Sequence, residues 1–282
     1  MTFKPAIARI LCQASADAYK VHDSGANLVL RASDTDTVAT ITHVADGDGV
    51  GPGPSVIVAF RGTTDLRNWL TDLDARMLPW DQAQELPVHR GFLEAWLSIR
   101  EDVIYALRDI PLTKVWFTGH SLGGALAMLA SYDLRYGPNV SAGLYTFGQP
   151  RVGGRQFAKL YNLLLRDRAW RVVHREDLVP HVPWLLGRYA HAGAEAWYER
   201  NDPHSVMIDR TFAQYAVADL SAAADVLLRD SRDIGRWIGD HEISNYLALF
   251  PKCHDLFPPE APCNAGPIPE SSAPEAEKGM KA

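Results

Sequence analysis

The 282-residue chain has only three cysteines, Cys12, Cys253 and Cys263. An odd, small number is a poor disulfide framework, and no pair has the C-x-x-C spacing of a thiolate zinc site, so no metal is expected. One bridge, Cys12 to Cys253, stays open beside the plainer reading of three free thiols. Basic residues are not in excess: 28 Lys and Arg against 34 Asp and Glu give a formal net charge of -6. Nucleic-acid binding usually leaves a basic footprint, so no such partner is expected. No run of about 18 apolar residues occurs, which argues against any membrane-spanning helix. Near the start, Arg9 interrupts the only apolar stretch, so no secretory signal core forms. The sequence as given therefore reads as cytoplasmic or exported by a non-Sec route. No internal repeat is present.

Against these shortages stands an ordinary globular balance, 47% hydrophobic and 22% charged residues, which permits a large buried core. Patterned segments run from about residue 6 to residue 250 without a linker-like break. This gives one domain over 1–256 and a Pro-rich, acidic tail, 257–282, expected to be disordered. Helical spacing marks 7–19, 91–110, 122–135, 155–166, 212–228 and 242–250. Short apolar runs at 28–30, 38–44, 55–60, 114–118, 144–147 and 170–174 read as strands, the one at 55–60 buried on both faces. Strands alternating with helices predict an α/β fold whose central sheet is mainly parallel and flanked by helices.

Gly119-His-Ser121-Leu-Gly123 fits G-x-S-x-G, followed at once by Gly124-Ala-Leu-Ala. The pentapeptide alone is weak; its place after a strand and before a helix is what a nucleophile elbow requires. The serine must sit on a sharp, strained turn, and side chains two residues either side would strike backbone. The following helix aims its N-terminal dipole where negative charge would develop. Ser121 is thus the candidate nucleophile, and the Leu122 N–H, next in chain, a candidate oxyanion donor.

Several stretches together resemble the class 3 lipases, the family of the fungal triacylglycerol lipases. They are Val58-Ala-Phe-Arg-Gly-Thr-Thr64, Arg67-Asn-Trp69, Val88-His-Arg-Gly-Phe92, Phe117-Thr-Gly-His-Ser-Leu-Gly-Gly-Ala-Leu126, Thr146-Phe-Gly-Gln-Pro-Arg-Val-Gly153 and Glu176-Asp-Leu-Val-Pro180. The resemblance implies the α/β-hydrolase fold and a serine carboxylic-ester hydrolase acting on lipid esters such as acylglycerols. It implies no cofactor. A phospholipase, a soluble-ester esterase and a non-catalytic module on the same scaffold remain alternatives.

A serine hydroxyl needs a histidine to take its proton and a carboxylate to orient that histidine. In this fold the chain order is Ser, then Asp or Glu, then His. Asp177 follows the strand at 170–174, at the end where parallel sheets place their sites; the resemblance points to the same residue. Five histidines lie beyond it: His181, His191, His204, His241 and His254. The resemblance of Asp240-His-Glu-Ile-Ser-Asn-Tyr246 to the family's histidine motif selects His241, with Asp240 expected to cap the helix that follows. The resemblance also supplies Thr63 as the second oxyanion donor. Beyond it, Leu66, Trp69, Leu70 and Leu73 repeat at i, i+3, i+4 and i+7, one apolar side of a short helix. In the resembling lipases this segment is a lid, and a fixed core-packing helix is the alternative.

Overall fold

A strand with apolar residues on both faces needs cover on both sides, and Ser55–Phe60 organises the molecule on that ground. In the computed structural model of the chain all six of its residues are buried. Val56, Val58 and Phe60 join one core cluster, while Ile57 and Ala59 join a second on the opposite face. The period-two alternation of a strand makes that division. The structure describes residues 2–20, 28–46, 49–51, 53–71, 74–80, 85–108, 110, 114–136, 141–174, 177–183, 188–199, 206–210, 214, 217 and 239–250. Of 67, 70, 71, 136, 141 and 142 it describes the backbone alone. Of the expected helix at 212–228 only 214 and 217 fall among these; the tail at 257–282, Leu73, Cys253 and Cys263 lie outside the described residues. Cys12 is fully buried.

Met1–Phe250 forms one compact unit. It opens with helix α1 (Pro5–Asp17), then strands β1 (Leu28–Ala32), β2 (Thr37–Val44) and β3 (Ser55–Phe60). Helix α2 (Leu66–Thr71) leads to β4 (Met77–Trp80), β5 (Leu86–His89) and the long helix α3 (Arg90–Arg108). There follow β6 (Lys114–His120), α4 (Leu122–Asp133), β7 (Ser141–Phe147), β8 (Gly153–Gly154), α5 (Arg155–Leu165) and β9 (Ala169–His174). The last described elements are β10 (Tyr189–Ala190), β11 (Ala194–Tyr198), β12 (Val206–Ile208) and α6 (Ile243–Ala248).

Among the described residues eight strands form the main sheet, in the order β1-β2-β3-β6-β7-β9-β11-β12. The centre, β3 to β11, is parallel throughout, and antiparallel pairings close both sides. This is the α/β-hydrolase arrangement, a mainly parallel central sheet flanked by helices. Because β3, β6, β7 and β9 run the same way, the residues after each carboxyl end share one rim of the sheet. A second, smaller sheet, β10-β8-β5-β4, was not anticipated from the sequence. It contains Pro79 and Pro87, paired opposite each other, residues that ordinarily argue against a strand.

Helix α4 is buried from Gly123 to Tyr132. Such a helix shows no polar face, as a central element should. On the other face of the sheet Ile7, Ala8, Leu11 and Cys12 of α1 share a cluster with Tyr246, Leu249 and Phe250. The first and last described helices thus pack on the same side.

Candidate active site

Between β6 and α4 the chain turns so tightly that Ser121 adopts φ 59 and ψ -131. A side-chain-bearing residue at positive φ is strained and persists only where the surroundings enforce it. Here the Ser121 N–H donates to the Phe147 carbonyl at 3.0 Å and the Ser121 carbonyl accepts from the Gly124 N–H at 3.0 Å. The flanking glycines have the steric role expected of them. A Cβ on Gly119 would stand 2.3 Å from the Gly123 carbonyl group, and one on Gly123 would stand 2.1 Å from the Phe60 oxygen. No side chain fits at either position.

Asp177 and His241 meet although 64 residues separate them. His241 Nδ1 donates to Asp177 Oδ2 at 2.6 Å, and both side chains are almost fully buried. The other carboxylate oxygen accepts the Val179 N–H at 2.8 Å, at the entry to the short helical turn Val179–His181. Oδ2 takes a second donor, the Tyr246 hydroxyl, at 2.5 Å. That hydroxyl in turn accepts the His174 N–H at 3.3 Å. With Nδ1 donating, the His241 imidazole presents its other nitrogen, Nε2, as the base.

Ser121 and His241 are linked through shared neighbours. Ser121 is joined to Phe147 through the backbone, and a Cβ on the next residue, Gly148, would lie 2.7 Å from His241 Cε1 and 2.7 Å from Asp177 Oδ2. The ring of His120, Ser121's neighbour, stacks on His241 with centroids 4.4 Å apart. Among the described residues neither Ser121 Oγ nor His241 Nε2 has a hydrogen-bond partner, though both are buried. Such bonds are commonly long without substrate and tighten in the complex.

Loop 61–64 leaves β3 and runs beside the elbow; a Cβ on Gly62 would lie 3.2 Å from Ser121 Cβ. Thr63 and Leu122 are half-buried on the same rim. The Thr63 hydroxyl accepts the Asp65 N–H at 3.3 Å. Helix α2 begins directly after, and Asp65 caps it by accepting the Asn68 N–H at 3.1 Å and the Asn68 amide at 2.6 Å. Trp69 stacks on Phe92 with centroids 6.2 Å apart and packs against the main core. Leu66 is half-buried; the Leu70 side chain and Leu73 lie outside the described residues.

Two expectations need correction or extension. Asp240 does not cap the final helix: α6 starts at Ile243 with Glu242 at its N-cap and no side-chain cap bond. The His241 carbonyl, which would accept the first bond of a helix starting there, is engaged by His120 Nε2 at 2.7 Å, and the helix begins two residues later. Gly148 and Tyr246, which bear on the Asp177–His241 pair, were not singled out in the sequence. Both fall inside family-like stretches, yet nothing in residue type or spacing assigns them a contact. Of the other described histidines after Asp177, His181 accepts from Arg151 at its carbonyl, and burial pulls the His191 imidazole well below its usual range. Among the described residues no group of His, Cys, Asp and Glu could hold a metal ion, and no helix is long and apolar enough to cross a membrane.

Comparison with known proteins adds an independent line. The family model described as Lipase (class 3) matches residues 57–186. A secreted mono- and diacylglycerol lipase of Fusarium solani is 37% identical over 150 residues, covering 51% of this chain and 44% of that protein. The solved triacylglyceride lipase of Rhizomucor miehei superposes with a TM-score of 0.64 at 26% identity, over 74% of this chain and 88% of that one. A lipase from Rhizopus microsporus var. chinensis gives 0.60 at 30% identity, over 71% and 75%. This chain spans about half the length of the curated relatives it matches, 48% of one and 44% of another. Strand order, strained serine elbow and family match agree: the chain belongs to the class 3 lipase family.

Proposed function

We propose that the protein is a serine carboxylic-ester hydrolase acting on lipid esters of the acylglycerol class. The observation that carries this reading is the buried Asp177–His241 pair at 2.6 Å, set beside a serine on a positive-φ elbow. In the proposed cycle His241 Nε2 takes the proton from Ser121 Oγ as that oxygen attacks the ester carbonyl. Asp177 keeps the tautomer and stabilises the imidazolium that forms. The carbonyl oxygen becomes an oxyanion held by the Leu122 N–H at the start of α4 and the Thr63 N–H from loop 61–64. His241 then gives its proton to the departing alcohol, leaving an acyl group on Ser121. Water repeats the sequence to release the fatty acid. No cofactor enters this cycle.

The substrate class rests on two supports. One is the relatives, all named as lipases and several of them as mono- and diacylglycerol lipases. The other is α2, whose apolar side lies next to the oxyanion loop. We assign α2 as a lid that leaves the rim at a lipid surface and buries its apolar side, with Leu66 and Trp69, there. Apolar area so buried stabilises the open form by about 25 cal/mol per Å2. The direct test is hydrolysis of p-nitrophenyl esters of rising chain length by the protein and by Ser121→Ala. The substitution is expected to lower kcat about a million-fold. An alanine variant as active as the parent ends the assignment; a parent that prefers acetate moves the substrate class from lipid to small ester.

A further inference from the structure

The proposed cycle uses neither Tyr19 nor His120, yet both are fixed against it. His120 Nε2 lies 2.7 Å from the His241 carbonyl oxygen. A carbonyl only accepts, so Nε2 carries the hydrogen. The imidazole is fully enclosed and held neutral: burial, then the neighbouring His241, push its pKa well below the usual value. A neutral ring with hydrogen on Nε2 must accept at Nδ1. The group at Nδ1 is the Tyr19 hydroxyl, at 2.9 Å, which therefore donates. Its oxygen keeps a lone pair, and that lone pair receives the Gly62 backbone N–H.

The result is a one-way chain of donors: Gly62 to Tyr19, Tyr19 to His120, His120 to the His241 carbonyl. It begins in the oxyanion loop and ends on the base. Its fit is tight, since a Cβ on Gly62 would stand 2.1 Å from the Tyr19 oxygen and 2.7 Å from the His120 carbonyl oxygen. The His120 ring covers one side of the His241 imidazole, 4.4 Å between centroids and 30° from parallel. The Tyr246 ring meets His120 edge-on at 5.7 Å.

We infer that Tyr19 and His120 are positioning residues that couple the oxyanion loop to the catalytic base, setting the place of the Gly62–Thr63 backbone and of His241 by one shared set of hydrogen bonds. The inference rests on the proposed hydrolase reading. Its physical content is that oxyanion donors and base must be placed within a fraction of an ångström of each other, and misplacement costs rate rather than affinity. A neutral partner over His241 also adds no charge repulsion when that ring becomes an imidazolium. Tyr19 closes the link from just beyond the end of α1.

The test uses the full chain and soluble p-nitrophenyl butyrate. Tyr19→Phe keeps the ring and removes the hydroxyl. It is expected to lower kcat about ten- to a hundredfold, with KM within about twofold and the melting temperature nearly unchanged. At position 120, Gln can donate to the His241 carbonyl and accept from Tyr19, whereas Leu can do neither. His120→Gln should therefore recover most of the kcat that His120→Leu loses. An unchanged kcat in Tyr19→Phe, or equal losses in the two His120 variants, overturns the coupling. Nitrogen-15 NMR of histidine-labelled parent protein reads the tautomer without reference to activity: hydrogen on Nε2 of His120 near neutral pH supports the chain, hydrogen on Nδ1 overturns it. A parent without esterase activity defeats the hydrolase reading, and the tautomer then decides the hydrogen-bond chain separately.

Discussion

Gly148 is a residue whose smallness has a chemical reason. It sits at φ 58, and the hydrogen in place of a methyl group leaves room for the Asp177–His241 pair. Gly148→Ala is expected to fold but to lose kcat/KM by about a hundredfold or more, because its methyl group displaces an imidazole that must stay within hydrogen-bond reach. A steady-state assay beside a thermal melt separates this from unfolding. Gly119→Ala is the contrast: its clash is with backbone, which cannot give way, so there the melt should suffer first. At this scale the sequence was legible where chemistry demands a residue type. Identity and order offered a serine in an elbow pattern, a carboxylate after a strand and five later histidines, and the choice of His241 among the five came from the family resemblance. Gly148, Tyr19 and Tyr246 carry no such signal, since a glycine or a tyrosine is a common residue until its neighbours are known.

Elements were legible in proportion to their length and periodicity. The six residues of β3 and the nineteen of α3 carry their own patterns, and the structure places both close to the expected bounds. The strands β4, β5, β8 and β10 are two to four residues long. Their order comes from tertiary pairing, which no local pattern records. In β11 the sequence Ala-Glu-Ala-Trp-Tyr hides its burial behind Glu195. That carboxylate is accommodated by Arg171 on β9 and by Arg210, whose Nε lies 2.6 Å away. Helix α2 was legible as a short amphipathic element, and its role as a lid is the proposal made above. If it is a lid, hydrolysis of tributyrin should rise abruptly as substrate passes its solubility limit and forms an interface. A smooth hyperbola through that limit would count against lid movement, leaving Trp69 as a fixed core contact.

For the molecule as a whole, acid is the condition its histidines resist least. His89 is buried between Phe92, 4.0 Å away by ring centroid, and Tyr189. Burial lowers its pKa to about 4. The unfolded chain takes up that proton near pH 6.5, the folded one only near 4. Between those values the unfolded state binds more protons, so stability falls as pH falls. His120 and His191, also held neutral by burial, act in the same direction. The melting temperature is expected to decline from about pH 6.5 downward, and His89→Phe should soften that decline; an identical profile in the variant would remove His89 from the account. The order of parts along the chain has one more consequence. The serine elbow is complete once Phe147 accepts the Ser121 N–H, but the imidazole it needs arrives at position 241, just before Tyr246, Leu249 and Phe250, which share a cluster with the first helix. On the proposed hydrolase reading, a ribosome-bound chain therefore carries a serine without its base until nearly the entire unit has emerged, and esterase competence is expected late and all at once.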